Sequence, residues 1–162
     1  MTAVIADADI LSTFGKIGRR DLLLLLFQKV HVAPAVYREL PRAEELGFIW
    51  VANVRQAVEL LPLTAGQSRE TERLFGLYPQ LGSGEVESLV LAQTHRLLCL
   101  TNDRQAKAAA KAPSLPHLDL EEILRALKTK RILTTEALTE LIAQVEEQDH
   151  TRIKAKGQIL SS

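Results

Sequence analysis

The sequence lacks the features of a disulfide scaffold, of a membrane protein and of a strongly basic protein. It has one cysteine, Cys99, so no disulfide can form within the chain. The apolar run Leu22–Phe27 has six residues, far fewer than the ~20 that a membrane-spanning helix needs. Lys and Arg together number 20, as do Asp and Glu, so the formal net charge is zero. The overall charge therefore does not indicate a strongly basic nucleic-acid-binding protein, and any nucleic-acid contact would depend on local basic patches.

Aromatic residues are also few. They make up 4% of the chain, so base stacking is not expected to dominate any binding of nucleic acid. The opening MTAVIADAD has neither the charged start nor the long apolar stretch of a signal peptide, and we expect a cytoplasmic protein. The chain has 162 residues, 46% of them hydrophobic, which is typical of one globular domain.

Short apolar runs of strand length alternate with helical patterns. This alternation predicts an α/β fold with a parallel sheet covered on both faces. From about residue 120 the pattern is helical only, so we predict a domain over 1–120 and a C-terminal helical extension over 121–162, packed on the same domain. The predicted strands are 3–6 (AVIA), 30–33 (VHVA), 48–51 (FIWV), 97–100 (LLCL) and, more weakly, 116–120 (PHLDL).

Acidic residues follow the ends of these predicted elements. Asp7 directly follows the first strand, and Asp103 lies just beyond the fourth. Sites in open α/β sheets form beyond the carboxyl ends of the strands, so these two acids can converge. Glu39 lies in the helix after the second strand, and Glu85 lies in the first turn of a helix after a glycine turn. Oxygen-only clusters suit Mg²⁺ or Mn²⁺, whereas the four histidines show no zinc-ligand spacing.

Each acid also has a purely structural interpretation. Asp7 or Asp9 could cap the helix that follows, and Asp103 could be a helix N-cap. Glu39 could be a solvated helix residue, and Glu85 could complement a helix N-terminus. These interpretations explain each acid singly, but not why the acids fall at related edges of one sheet.

Four motifs in register resemble those of PIN-domain proteins. VIADADIL resembles the opening strand and acid of that family, and VAPAVYREL resembles its second motif, ending in Glu39. GSGEVESLVLAQ resembles the third, with Glu85, and LCLTNDRQAKAAA resembles the fourth, with Thr101 and Asp103. The match extends over about residues 3–120, and the helical tail looks like the extension of a branch related to VapC-type toxins.

This resemblance implies a three-layer α/β/α fold and a ribonuclease that depends on Mg²⁺ or Mn²⁺. It implies that Asp7, Glu39, Glu85 and Asp103 are catalytic, metal-binding acids and that Thr101 is a supporting hydroxyl. Asp9 departs from the family pattern, which more often has Ser, Thr or Asn there. Asp9 could therefore add a ligand or disturb the usual hydrogen bond to Asp7.

The resemblance also implies RNA as the substrate, allows an antitoxin protein as a partner and suggests a homodimer. Positive charge near the acids would contact RNA phosphates. The candidates are Lys16, Arg19, Arg20 and Arg104, for which a solvated surface role is the alternative. The basic residues of the tail could likewise serve RNA, a partner protein or solubility alone.

Two other functions fit parts of the sequence. DADIL also resembles the start of HAD-type phosphatases, in which the first Asp is a nucleophile, and LCLTN resembles their second motif. That interpretation requires a lysine, for which Lys107 or Lys111 could serve, and then a late acidic pair at a strand end, where this chain has only Asp119. It also leaves Glu39 and Glu85 unexplained. Alternatively, the chain is a catalytically inert PIN scaffold or binding module. The retention of all four acids disfavours a dead site.

Overall fold

Five parallel strands form one sheet in the computed structural model, which describes residues 2–111 and 113–161. Their order across the sheet is β3-β2-β1-β4-β5. Residues 1 and 162, the outer ends of the two predicted regions, lie outside the described residues. The strands are β1 (Thr2–Ala6), β2 (Phe27–Val32), β3 (Val58–Leu60), β4 (Leu98–Leu100) and β5 (His117–Leu118).

Helices connect the strands and continue beyond the last of them. Sequence signals explain several of the starting points: Pro34 occupies the first turn of α3, and α5 and α8 each begin with a complete capping box. The helices are α1 (Ala8–Lys16), α2 (Arg20–Leu26), α3 (Pro34–Glu45), α4 (Val51–Arg55), α5 (Ala65–Leu77), α6 (Ser83–His95), α7 (Arg104–Lys111), α8 (Leu120–Thr129), α9 (Thr135–Gln148) and α10 (Lys156–Ser161).

The central strand β1 is buried on both faces. Val4, Ile5 and Ala6 have no exposed surface, which explains why the strand is a continuous apolar run and does not alternate. Helix α6 packs on β1 and β4 and contacts α3, α5 and α7, whereas α1 contacts α2 and α9. Two helical layers thus enclose the sheet. The protein has the three-layer α/β/α architecture that the sequence predicts.

One predicted strand is wrong. Residues 48–51 (FIWV) form a turn that leads into α4, and β3 lies later, at Val58–Leu60. Phe48 and Ile49 are exposed, whereas Val51 packs beneath α3 against Leu40. The apolar run therefore does not form one continuous buried segment, and its hydrophobicity reflects two different environments.

The C-terminal helices pack on the rest of the chain. Helix α8 contacts α2, α9 contacts α1, and α10 contacts both α8 and α9. The hydroxyl of Thr13 in α1 donates to the Asp149 carboxylate at 2.6 Å, just beyond α9. Division of the chain at residue 120 remains a prediction. Among the described residues, no helix is long and apolar enough to cross a membrane.

Candidate functional site

The carboxyl ends of β1 and β4 meet where the strand order reverses. Chain connections place β2 and β3 on one side of β1 and β4 and β5 on the other. Ala6 of β1 lies opposite Leu100 of β4, and the backbone N–H of Asp7 donates to the Leu100 carbonyl at 3.0 Å. Such a switch point is where open α/β sheets form their ligand sites. Asp7 is therefore placed at the position that the topology favours.

Asp7 is buried without a hydrogen-bond partner for its carboxylate. The residue is 4% exposed, and neither carboxylate oxygen has a partner among the described residues. Burial raises the pKa of Asp7 to about 8, and the negative charges of Asp9 and Glu85 add to the rise. The hydroxyls of Thr101 and Ser88 lower this pKa, although neither lies in hydrogen-bonding geometry with the carboxylate. Such a charge is costly to bury unless a cation neutralises it.

Glu85 connects the acids electrostatically. It lies in the first turn of α6, and its charge raises the pKa values of Asp7, Asp9 and Glu39. Gly82, the N-cap residue of α6, makes room for it: a Cβ there would fall 2.5 Å from Oε2 of Glu85. Any side chain at Gly82 would therefore force the Glu85 carboxylate to move from its present position.

Glu39 approaches Glu85 from α3. It is exposed, and partial desolvation, followed by the charge of Glu85, raises its pKa. The start of α3 has no side-chain cap of its own from Ala33. Instead, the buried carboxylate of Glu87 accepts the backbone N–H of Ala35 at 3.0 Å. Helix α6 therefore contributes one acid to the site and a second acid that fixes the helix carrying Glu39.

Asp9 joins the two strand ends. One of its carboxylate oxygens accepts the N–H of Ile10 at 2.9 Å, and the other accepts the N–H of Asn102 at 3.2 Å. Partial desolvation of the carboxyl raises the pKa of Asp9, although the residue as a whole is exposed. Its oxygens thus hold the start of α1 against the loop after β4.

Asp103 caps a helix. Its Oδ1 accepts the N–H of Ala106 in the first turn of α7 at 2.8 Å. Thr101, which is fully buried, accepts the N–H of Asp103 through its hydroxyl oxygen at 3.2 Å. The hydroxyl proton of Thr101 therefore remains available to Asp7. Asp103 is not among the groups whose charges perturb the pKa of Asp7.

The structure thus brings together Asp7, Asp9, Glu39 and Glu85, which we call the acidic group. Asp103 lies just outside it, since its carboxylate caps α7. The catalytic and metal-binding roles assigned to these residues remain predictions. Sequence reasoning missed Ser88, which is fully buried and influences the pKa of Asp7. The sequence did contain a signal for it: Ser88 lies three residues after Glu85 on one helix, so the two side chains share a helical face.

The acidic group has the chemistry of a divalent-cation site. A bound cation would give the Asp7 oxygens a partner and would reduce the repulsion among the acids. Carboxylates are the ligands that Mg²⁺ and Mn²⁺ prefer. Over residues 2–111 and 113–161, no three such side chains stand ready to coordinate one ion together. Glu39 is exposed, so its side chain can change rotamer toward such an ion, whereas both oxygens of Asp9 already accept backbone N–H groups.

The predicted RNA-binding cations have different surroundings. Lys16 forms an ion pair with Asp149 at 2.8 Å, and Arg19 pairs with Asp21 at 3.0 Å. Arg20 donates to the side chain of Gln56 at 3.5 Å. Arg104 is exposed and takes part in none of the ion pairs found in the described part of the chain. Of the four, it lies nearest in sequence to the acids at the sheet edge.

Comparison with models of protein families gives a match over most of the chain. A family model described as a PIN domain matches residues 3–158, which is nearly the whole chain. No curated protein matches. The matched range covers all four motifs and most of the C-terminal helices. It confirms the family resemblance that the motifs predict.

Proposed function

Because the chain belongs to the PIN-domain family, which points to the nuclease superfamily, we propose that it is a Mg²⁺- or Mn²⁺-dependent endoribonuclease. It would hydrolyse phosphodiester bonds of single-stranded or structured RNA. One observation carries this proposal: the Asp7 carboxylate is buried without a partner at the switch point of the sheet, beside the charge of Glu85. A structural acid in that position would be expected to have a hydrogen-bond partner.

In this proposal, Asp7 and Glu85 hold the cation, and Glu39 and Asp103 complete its surroundings. When bound, the cation makes water more acidic and stabilises negative charge on the phosphate. Its positive charge would also lower the pKa of Asp7, so that the carboxyl is ionised at neutral pH. Thr101 then donates its hydroxyl proton to Asp7 and keeps the carboxylate oriented. Asp103 would contribute its Oδ2, because its Oδ1 caps α7.

The test is cleavage of a mixed single-stranded RNA pool with Mn²⁺, Mg²⁺ or EDTA. We compare the wild type with Asp7→Asn and with Asp21→Asn, a matched change at an exposed aspartate that pairs with Arg19. Cleavage should require the metal, survive in Asp21→Asn and disappear in Asp7→Asn. No cleavage by folded wild-type protein, free of any bound partner, would contradict a general ribonuclease.

The rival functions are outcomes of related measurements. Mn²⁺ binding by calorimetry without RNA cleavage would favour an inert scaffold or a highly selective enzyme. Hydrolysis of a chromogenic phosphate ester would favour the HAD-type phosphatase. The structure gives that rival little support, since Asp119 caps α8 and forms an ion pair with Lys107 at 3.2 Å.

The biological setting belongs to the same proposal. We propose a cytoplasmic toxin of a toxin–antitoxin pair that acts as a homodimer, on the basis of the tail's resemblance to the VapC-type branch. Induced expression should arrest growth for the wild type and not for Asp7→Asn. Light scattering of the purified protein should give twice the mass of one chain, and a monomeric mass would contradict the dimer.

A further inference from the structure

A basic cavity lies beside the acidic group on the same edge of the sheet. It has a volume of about 300 Å³ and is lined from two sides. Asn102 and Arg104, which flank Asp103, come from the carboxyl end of β4. Arg152 and Lys154 come from the C-terminal segment that follows α9. The cavity therefore joins the sheet edge to the helical extension.

The acids that line this cavity are already engaged. Asp119 accepts the N–H of Glu122 at 3.0 Å and the Lys107 ammonium at 3.2 Å. Glu121 accepts the backbone N–H groups of Lys154 at 3.0 Å and of Ala155 at 3.4 Å. These carboxylates are therefore committed to capping, to one ion pair and to the backbone.

The cations, in contrast, are available. Arg104, Arg152 and Lys154 are exposed, and their side chains form none of the ion pairs found within residues 2–111 and 113–161. The charge of Arg152 contributes to the lowered pKa of Glu146, but the two side chains do not form an ion pair. With Lys107 the cavity has four cationic side chains against two acidic ones, Asp119 and Glu121, and its excess charge is positive.

The segment that carries the tail cations is fixed in place. Ile153 is 4% exposed and anchors the segment in the core. Its N–H donates to the carboxylate of Glu146 at 3.1 Å, and Glu121 holds the next two N–H groups. Arg152 and Lys154, on either side of Ile153, are thus presented from an ordered backbone, which reduces the entropy lost when a ligand binds.

We propose that this cavity binds a phosphate of the RNA strand adjacent to the phosphate that is cleaved beside the acidic group. The inference rests on the proposed function, since it takes RNA as the ligand, and it gives the C-terminal extension a part in substrate binding. Guanidinium and ammonium groups around one cavity match the charge and hydrogen-bonding capacity of a phosphodiester. A strand crossing the sheet edge from β1 toward β5 would pass from the acidic group to the cavity.

Binding of a labelled eight-nucleotide single-stranded RNA in EDTA, measured by fluorescence anisotropy, tests the proposal. The double variant Arg152→Ala/Lys154→Ala removes the tail cations. The control Arg125→Ala/Lys130→Ala removes the same charge from exposed positions of the extension that do not line the cavity. The cavity variant should bind about tenfold more weakly, and the salt-dependence slope of log K should fall in magnitude by about 1.4, or ~0.7 per lost contact. The control should change Kd less than twofold.

Equal losses in the two variants would show that general charge attracts RNA and would overturn the proposal. Unchanged binding by the cavity variant would also overturn it. Both variants change only exposed side chains, and unfolding curves would verify that each is folded. Because the assay contains EDTA, its result is separate from cleavage. If the cavity variant binds RNA more weakly but the wild type cleaves no RNA, this inference stands and the proposed function is refuted. If the wild type cleaves RNA but the cavity variant binds it normally, the proposed function stands and this inference is refuted.

Discussion

The carboxylate of Glu87 in α6 accepts the backbone N–H of Ala35 in α3 at 3.0 Å, across 52 residues of sequence. Two members of the acidic group lie close to this contact in sequence: Glu85 is two residues before Glu87, and Glu39 is four residues after Ala35. This buried hydrogen bond joins two helices that each supply an acid. Glu87 therefore supports the arrangement of the site although it lies outside the acidic group.

Replacing Glu87 with alanine should destabilise the protein. The N–H of Ala35 would lose its acceptor in a buried environment, which costs about 1–3 kcal/mol in the free energy of unfolding. Glu87→Gln retains an acceptor oxygen and should cost less than half as much. Urea unfolding measures both, with Glu147→Ala on an exposed part of α9 as control. Equal losses for Ala and Gln would mean that the charge, and not the acceptor, is what α3 requires.

The metal-free protein should lose stability as the pH rises. The pKa of Asp7 is about 8 in the folded protein and 3.8 in the unfolded reference, so the folded state holds the proton more tightly. This contribution to stability is complete below pH 3.8, declines between 3.8 and about 8, and is gone above that. In EDTA, the unfolding equilibrium constant of the wild type divided by that of Asp7→Asn should therefore rise as the pH increases across this window.

Metal should reverse that dependence. A cation binds the ionised carboxylate, so Mn²⁺ should stabilise the wild type more at pH 8 than at pH 5.5, and Asp7→Asn should gain little at either pH. At a concentration 100 times Kd the gain would be about 2.7 kcal/mol. Thermal unfolding with Mn²⁺ or EDTA provides the measurement. Equal stabilisation of the two proteins would place the metal away from Asp7.

Asp9 should behave as a structural link between strand ends. Its two oxygens accept the N–H groups of Ile10 and Asn102. Asp9→Asn retains one acceptor and should weaken Mn²⁺ binding only a few-fold, mainly through the lost charge, whereas Asp7→Asn should weaken it more than tenfold. Asp9→Ala loses both hydrogen bonds and should cost about 1 kcal/mol in the free energy of unfolding. Calorimetry in which Asp9→Asn binds as poorly as Asp7→Asn would identify Asp9 as a ligand.

The central strand and the acid at its carboxyl end could be predicted because a local pattern determines them, whereas the order of the strands was not predicted. Strand β1 is central and buried on both faces, so it shows as an uninterrupted apolar run that ends at Asp7. The edge strand β3 gave no such signal. It has three residues, Val58–Leu60, of which the last two are exposed, and its pairing with β2 is a tertiary contact.

The electrostatic linkage of the site could be predicted only in part. Strand positions indicated that Asp7 and Asp103 converge, and the family resemblance added Glu85. The capping of α7 by Asp103 competes with a role as ligand, and sequence alone does not decide between the two. The contact of Glu87 with α3 joins residues 52 positions apart and depends on how two helices pack. No local pattern contains that information.

Gly84 provides a test of that helix packing. A Cβ at this position would fall 2.9 Å from Cγ2 of Val36, a stiff, buried side chain on α3. Gly84→Ala should therefore destabilise the protein by about 1–3 kcal/mol, although the same change in an unobstructed helix is stabilising by roughly 0.5–1 kcal/mol. In a Val36→Ala background the clash is absent, and Gly84→Ala should become neutral or stabilising. A double-mutant cycle by urea unfolding measures this coupling, and additive effects would show that α3 and α6 are not in close contact here.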